Sequence, residues 1–140
     1  MNRIQAQKIV ERIQNIPLYL HAYAFHLNMR MEKILPEGLL DIASEQKLKG
    51  VKVHVLDGES QSLSCADDAR LQKFGEKAHS LGLDVHIETS ASDAETIDTA
   101  VAIALKSGAS SVRFYPRYEG HLAEVLAQVK QDIQYIKAHY

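Results

Sequence analysis

One pattern restricts the fold of this chain more than any other: a helix-like segment stops at a glycine, a short β-branched strand follows, and the strand ends in polar residues. The first copy runs from Leu39-Leu40-Asp41-Ile42-Ala43 to Gly50 and into Val51-Lys52-Val53-His54-Val55. The second runs from Leu71 to Gly82 and into Val85-His86-Ile87-Glu88, and the third from Ile97 to Gly108 and into Val112-Arg113-Phe114-Tyr115. Each glycine stands where a left-handed residue ends a helix without a Cβ clash. Pro36 suits a first helical turn, and Ser64 with Asp67 and Ser92 with Glu95 have capping-box spacing. A first strand is readable in Leu18–Tyr23, and a last amphipathic helix in Leu122, Val125, Leu126, Val129, Ile133 and Ile136. Ile9, Val10, Ile13 and Ile16 mark a further helix ahead of the first strand. Strands joined through helices lie parallel, so the expectation is an α/β chain of four βα units with an amino-terminal extra helix.

The strands also alternate. Val51, Val53 and Val55 oppose Lys52 and His54; Val85 and Ile87 oppose His86 and Glu88; Val112 and Phe114 oppose Arg113 and Tyr115; Leu18 and Leu20 oppose Tyr19, His21 and Tyr23. Strands of an open doubly wound sheet are covered on both faces and read as continuous apolar runs. Alternation instead gives each strand one apolar and one polar face, which fits half of a TIM barrel, with helices outside and polar side chains on the concave surface. A half-exposed sheet whose outer face is polar only for solubility is the plainer alternative.

At 140 residues, 46% hydrophobic, and with no low-complexity stretch or Pro/Gly-rich linker, residues 1–140 read as a single domain. A formal net charge of -2, with Lys and Arg scattered among Asp and Glu, gives no reason to expect nucleic acid or an anionic membrane as partner. The single cysteine, Cys65, excludes an internal disulfide and fits a reducing compartment. Met1-Asn2-Arg3-Ile4-Gln5 lacks the apolar core of a signal peptide, so the expected location is cytoplasmic.

Barrel sites are assembled at the carboxyl ends of strands, where Asp57, Glu59, Glu88, Tyr115 and Arg117 fall. A carboxylate there can abstract a proton next to a carbonyl, so Glu88 is a candidate general base; an ion pair with Arg113 on the next strand is its structural alternative. His54 is the second candidate catalytic residue. His21, Tyr23, His86, Arg113 and Tyr115 are candidate substrate-binding residues: the arginine for an anionic group, the aromatic rings for packing against a sugar. His54 and His86 share a face of adjacent strands, but two histidines without a third ligand of fixed geometry assign no metal site.

Gly82-Leu83-Asp84-Val85-His86-Ile87-Glu88-Thr89-Ser90 followed by a helix and Gly108-Ala109-Ser110-Ser111-Val112-Arg113-Phe114-Tyr115 resembles strands three and four of the xylose-isomerase-like TIM barrels, the sugar phosphate isomerases and epimerases. Leu35-Pro36-Glu37-Gly38-Leu39-Leu40-Asp41-Ile42-Ala43 through Gly50-Val51 looks like that family's first helix leading into its second strand. The resemblance covers the chain from Pro17 onward and implies a metal-dependent enzyme moving a proton between adjacent carbons of a small sugar or polyol. It places the divalent metal mainly on strands five to eight, which this chain lacks, so no metal is expected for the chain alone. A partner is expected in their place, as a homo-oligomer or a missing second half. A non-catalytic half-barrel that binds a ligand or self-associates, and a metal-dependent endonuclease-type barrel, are the alternative readings; the absence of a basic groove counts against the second.

Overall fold

The computed structural model describes residues 3–55 and 61–140. Helix α1 (Arg3–Gln14) precedes strand β1 (Tyr19–His21), a 3-10 turn (Ala22–Phe25) and a short helix α2 (His26–Arg30). The alternation then runs α3 (Pro36–Glu45), β2 (Gly50–Val55), a second 3-10 turn (Leu63–Cys65), α4 (Asp68–Ser80), β3 (Asp84–Thr89), α5 (Ala94–Ser107), β4 (Ser111–Phe114) and α6 (Leu122–His139).

The four strands form one sheet in the order β1-β2-β3-β4, and every pair is parallel. A sheet that never reverses its strand order keeps its crossover helices on one side, unlike a doubly wound sheet with its switch point. The packing agrees. Leu39, Leu40 and Ala43 of α3, Leu71, Phe74 and Ala78 of α4, and Ala100, Ile103 and Ala104 of α5 are buried in one cluster with Val51, Val53, Val55, Val85 and Ile87. Each large side chain fully buried there stabilises the fold by about 1.5–3 kcal/mol. The opposite face carries the polar residues. This is an open half of an α/β barrel, with helices outside.

Local details depart from the sequence expectations in instructive ways. The first strand covers only Tyr19–His21; Leu18 is exposed, and at Tyr23 the chain has already turned into a 3-10 helix whose first turn is capped by the His21 side chain. Gly50 does not end a helix. The chain turns after α3 at Lys47, which has φ +54°, and Gly50 is the first residue of β2. Its glycine is demanded by β3 instead, because a Cβ there would lie 2.1 Å from the Asp84 carbonyl oxygen. Gly82 and Gly108 do take positive φ after α4 and α5. The helix caps are aspartates, not serines: Asp67 accepts from the Arg70 N–H at 2.8 Å, and Asp93 from the Thr96 N–H at 3.0 Å. The carboxylate nearer the helix, three residues past Ser64 and one past Ser92, takes the first-turn donors in place of the serine hydroxyl.

Helix α6 holds the largest departure. Its buried residue is Asp132, while Leu122, Leu126 and Ile133 are exposed. Asp132 accepts from Ser92 Oγ at 2.7 Å, from Tyr118 Oη at 2.6 Å and from Gln128 Nε2 at 3.4 Å. Burial, and the Asp132 carboxylate to which it donates, raise the Tyr118 hydroxyl above its ordinary pKa. Tyr135 and Tyr140 both donate to Asp98 on α5 at 2.8 Å, completing a polar seam. At about 100° per residue, the line through Gln128 and Asp132 is rotated roughly a quarter turn from the apolar line Leu122–Leu126–Val129–Ile133. Polar contacts dock α6; Val125, Val129 and Ile136 of its apolar stripe are half-buried, and Leu122, Leu126 and Ile133 stay exposed.

Candidate functional site

The register of the sheet decides which polar side chains meet. His21 is level with Lys52, and Lys52 with His86; one row further toward the carboxyl ends, His54 is level with Glu88 and Glu88 with Arg113. All these residues share the face opposite the helices, because they alternate with the buried valines and isoleucine.

Glu88 is the centre. Its residue is 1% exposed although it lies on the polar face. Arg113 Nε lies 3.2 Å from one carboxylate oxygen, Oε1. His21 Nε2 lies 2.6 Å from the other, Oε2, but off the line of an aligned hydrogen bond, so Oε2 keeps open acceptor capacity. The His21 ring arrives from β1 across the whole width of β2. Its Nδ1 accepts the Tyr23 backbone N–H at 3.1 Å, which leaves Nε2 as the protonated nitrogen facing the carboxylate. The 3-10 turn that cuts β1 short is therefore also what fixes the tautomer of this histidine.

The remaining candidates surround this pair. His54 Nε2 and Ser90 Oγ share a hydrogen bond of 2.8 Å. His86 packs its ring against Tyr19 at 4.7 Å, and Tyr19 donates to Asp84 at 3.0 Å. Desolvation, together with the Asp84 carboxylate, raises the Tyr19 hydroxyl above its ordinary range. The Arg113 guanidinium lies over the Tyr115 ring, 4.2 Å from its centroid. Tyr23 is exposed and stacks on His26 at 4.9 Å, which places it at the rim and not on the strand face. Phe25 packs partly against the core. Arg117 is exposed, as is Cys65. Asp57 and Glu59 lie outside the described residues.

Glu88 is ion-paired with Arg113, the structural alternative to its role as a general base. Sequence reading placed Glu88, His54, His86 and Arg113 together, but missed Ser90, Lys52 and Tyr19 as their neighbours. The period-two pattern that exposed the first group contains Lys52 and Tyr19 as well. Among the described residues, no group of His, Cys, Asp and Glu is assembled to hold a metal ion. The donors explain this: the Glu88 oxygens face Arg113 and His21, and His21 Nδ1 is taken by a backbone N–H. These side chains do not fit a divalent cation, and no step is assigned to one here. Among the described residues, no helix is long and apolar enough to cross a membrane.

Fold and face together define an open α/β half-barrel with a buried glutamate flanked by basic side chains on its inner surface. Its sequence is similar to that of an Escherichia coli (strain K12) protein, "Uncharacterized protein YihM", 64% identical over 135 residues. The match covers 96% of this chain and 41% of that relative, so the chain spans less than half of the relative's length. No protein-family description matches the chain.

Proposed function

We propose that the chain is one half of a sugar isomerase/epimerase-like barrel that moves a proton between adjacent carbons of a small carbohydrate or polyol bound on the polar face. The observation that carries this reading is Glu88: a buried carboxylate with one oxygen against Arg113 and the other beside a tautomer-fixed histidine, without an aligned hydrogen bond. In such a reaction the carboxylate takes the proton from the carbon next to the carbonyl, and the electron pair moves onto the carbonyl oxygen, which gains a proton while the neighbouring hydroxyl loses one. A proton from the carboxyl, exchangeable with solvent while it is held there, is delivered to the former carbonyl carbon. His21 Nε2–H stands beside Glu88 and positions both base and substrate hydroxyl. His54 serves as the second proton-transfer group, oriented by Ser90. His86, Arg113 and Tyr115 bind the substrate, with Tyr23 at the rim.

The divalent metal that the family resemblance implies lies on strands five to eight of a complete barrel, so a barrel closed by two copies of this chain does without it. The proposed occupant of that half is a second copy of this chain, and the chain acts inside the cell. The exposed stripe of α6 and the open edges of β1 and β4 support this association. A two-fold axis along the barrel sets β4 of each copy beside β1 of the other with all strands still parallel, which closes eight strands. In a relative more than twice as long, further chain can occupy the same place.

The test is deuterium incorporation at the carbon next to the carbonyl when xylose or glucose 6-phosphate is incubated with the purified chain in heavy water. Exchange that disappears in Glu88→Gln supports the reading. Exchange that survives this substitution removes Glu88 as the base. Saturable binding without any exchange points to a non-catalytic binding half-barrel.

A further inference from the structure

Among the described residues, the charges on the polar face do not balance, and the imbalance points to a ligand. Each described carboxylate on this face is already engaged: Glu88 with Arg113 and His21, Asp84 with Tyr19 and with Lys49 at 3.6 Å. Among the described residues no carboxylate pairs with Lys52; its ammonium lies 5.7 Å from the centroid of the Tyr19 ring, at the outer limit of a cation–π contact. Arg113 meets Glu88 through Nε at 3.2 Å and holds its guanidinium carbon over the Tyr115 ring. Its side chain is 46% exposed. The half-exposed guanidinium fork is thus held from two sides, by a buried carboxylate and by an aromatic ring. Holding the fork in place before binding removes most of the entropy cost of using it. A free, pre-oriented guanidinium fork matches an oxyanion by paired hydrogen bonds.

We infer that Arg113 on its Tyr115 platform, together with Lys52, forms an oxyanion subsite that holds the carboxylate or phosphate of an anionic small molecule beside Glu88. Lys52 is level with Ser111, and Arg113 stands two residues beyond Ser111 on the same strand. Two strand spacings sideways and two residues along put their Cα atoms roughly 12 Å apart, within joint reach of two long side chains. Glu88 and His86 lie between them, so an anionic group held here sets the rest of the ligand over the buried carboxylate. The inference rests on the reading of this face as a small-molecule site, and it narrows the substrate from any polyol to one carrying an acidic group.

The experiment titrates the full chain with glucose 6-phosphate, gluconate and glucose, reading affinity by calorimetry and the arginine Nε–H resonances by NMR. The expected result is saturable binding of at least one anionic probe, on the order of tenfold tighter than glucose, with the Arg113 resonance shifted. Whichever of the two anions binds more tightly identifies the acid as phosphate or carboxylate. Lys52→Gln and Tyr115→Leu should each weaken that binding several-fold, while Lys130→Gln on α6 should not. These variants leave the Glu88–Arg113 pair intact, so the test does not depend on Arg113 substitutions that strip a buried carboxylate of its partner. Equal affinity for glucose, or anion binding that Lys52→Gln and Tyr115→Leu leave unchanged, overturns the subsite. Proton exchange decides the other reading separately: anion binding without exchange keeps the subsite and removes the catalytic role, whereas exchange without anion preference removes the subsite alone.

Discussion

Glu88 and Arg113 form one pair, yet the two side chains stand in different surroundings, and this sets what each substitution does. The carboxylate is 1% exposed and the guanidinium 46%. Removing the charge from Glu88 returns Arg113 to water it already half occupies, at a cost of about 1 kcal/mol. Removing Arg113 leaves a buried carboxylate without its strongest partner, at a cost of about 3 kcal/mol. Urea denaturation should therefore find Arg113→Gln clearly less stable than Glu88→Gln; equal losses would mean that the pair is not buried as described. At this scale the sequence was legible where the partners lie on adjacent strands, since period-two alternation and register suffice to bring His54, Glu88 and Arg113 together. The His21–Glu88 contact spans a whole strand, and no local spacing encodes it. Asp132 was illegible for a different reason. One aspartate on an amphipathic helix reads as surface, and its burial depends on Ser92 and Tyr118, which come from loops after two different strands.

Between elements, the outer layer is tied by a pair that the strand pattern does not reveal. Arg70 at the start of α4 donates through Nε and Nη2 to both oxygens of Glu37 at the start of α3, at 2.7 and 3.1 Å. Burial acts to raise the Glu37 pKa, but the Arg70 hydrogen bonds and charge outweigh it, and the net shift is below the ordinary value of 4.5. A carboxyl whose folded pKa is depressed stabilises the fold fully above its unfolded pKa and loses that contribution as pH falls through the folded value. Glu37→Gln should then lower the melting temperature at neutral pH and flatten its decline on acidification below about pH 4.5. A variant melting curve that tracks the parent at every pH would show that the bridge contributes nothing. Element order and type were readable from the glycine-to-strand rhythm. The caps were not, because Ser-Cys-Ala-Asp and Ser-Asp offer two capping residues each, and only the geometry of the first turn selects between them.

Over the whole molecule, the uncovered surface lies at the ends of the sheet and along α6. Leu122 is 74%, Leu126 50% and Ile133 46% exposed, an apolar line that water leaves unsatisfied at about 25 cal/mol per Å². Sedimentation at micromolar concentration should give a dimer, and Leu126→Lys combined with Ile133→Lys should return it to monomer without unfolding. A parent chain that sediments as a well-folded monomer would exclude the second copy as the occupant of this surface. Half of a barrel was legible because alternation distinguishes it from a doubly wound sheet. What closes it was not, since an amphipathic helix shows which residues are apolar and not which side of it a neighbour takes.

The strand order has a temporal consequence. Among the described residues, no strand pairs with any strand but its neighbour in sequence, so each βα unit can add to the one before it as the chain leaves the ribosome. Assembly is vectorial, and each step closes only the crossover between neighbouring strands, from Tyr19 to Gly50, Lys52 to His86 and His86 to Ser111, with no pairing across the length of the chain. Native-state hydrogen exchange should record that history as a gradient: slowest at Val53 and Ile87 in the two central strands, faster at Leu20 and Val112, which belong to the strands that still wait for a neighbour.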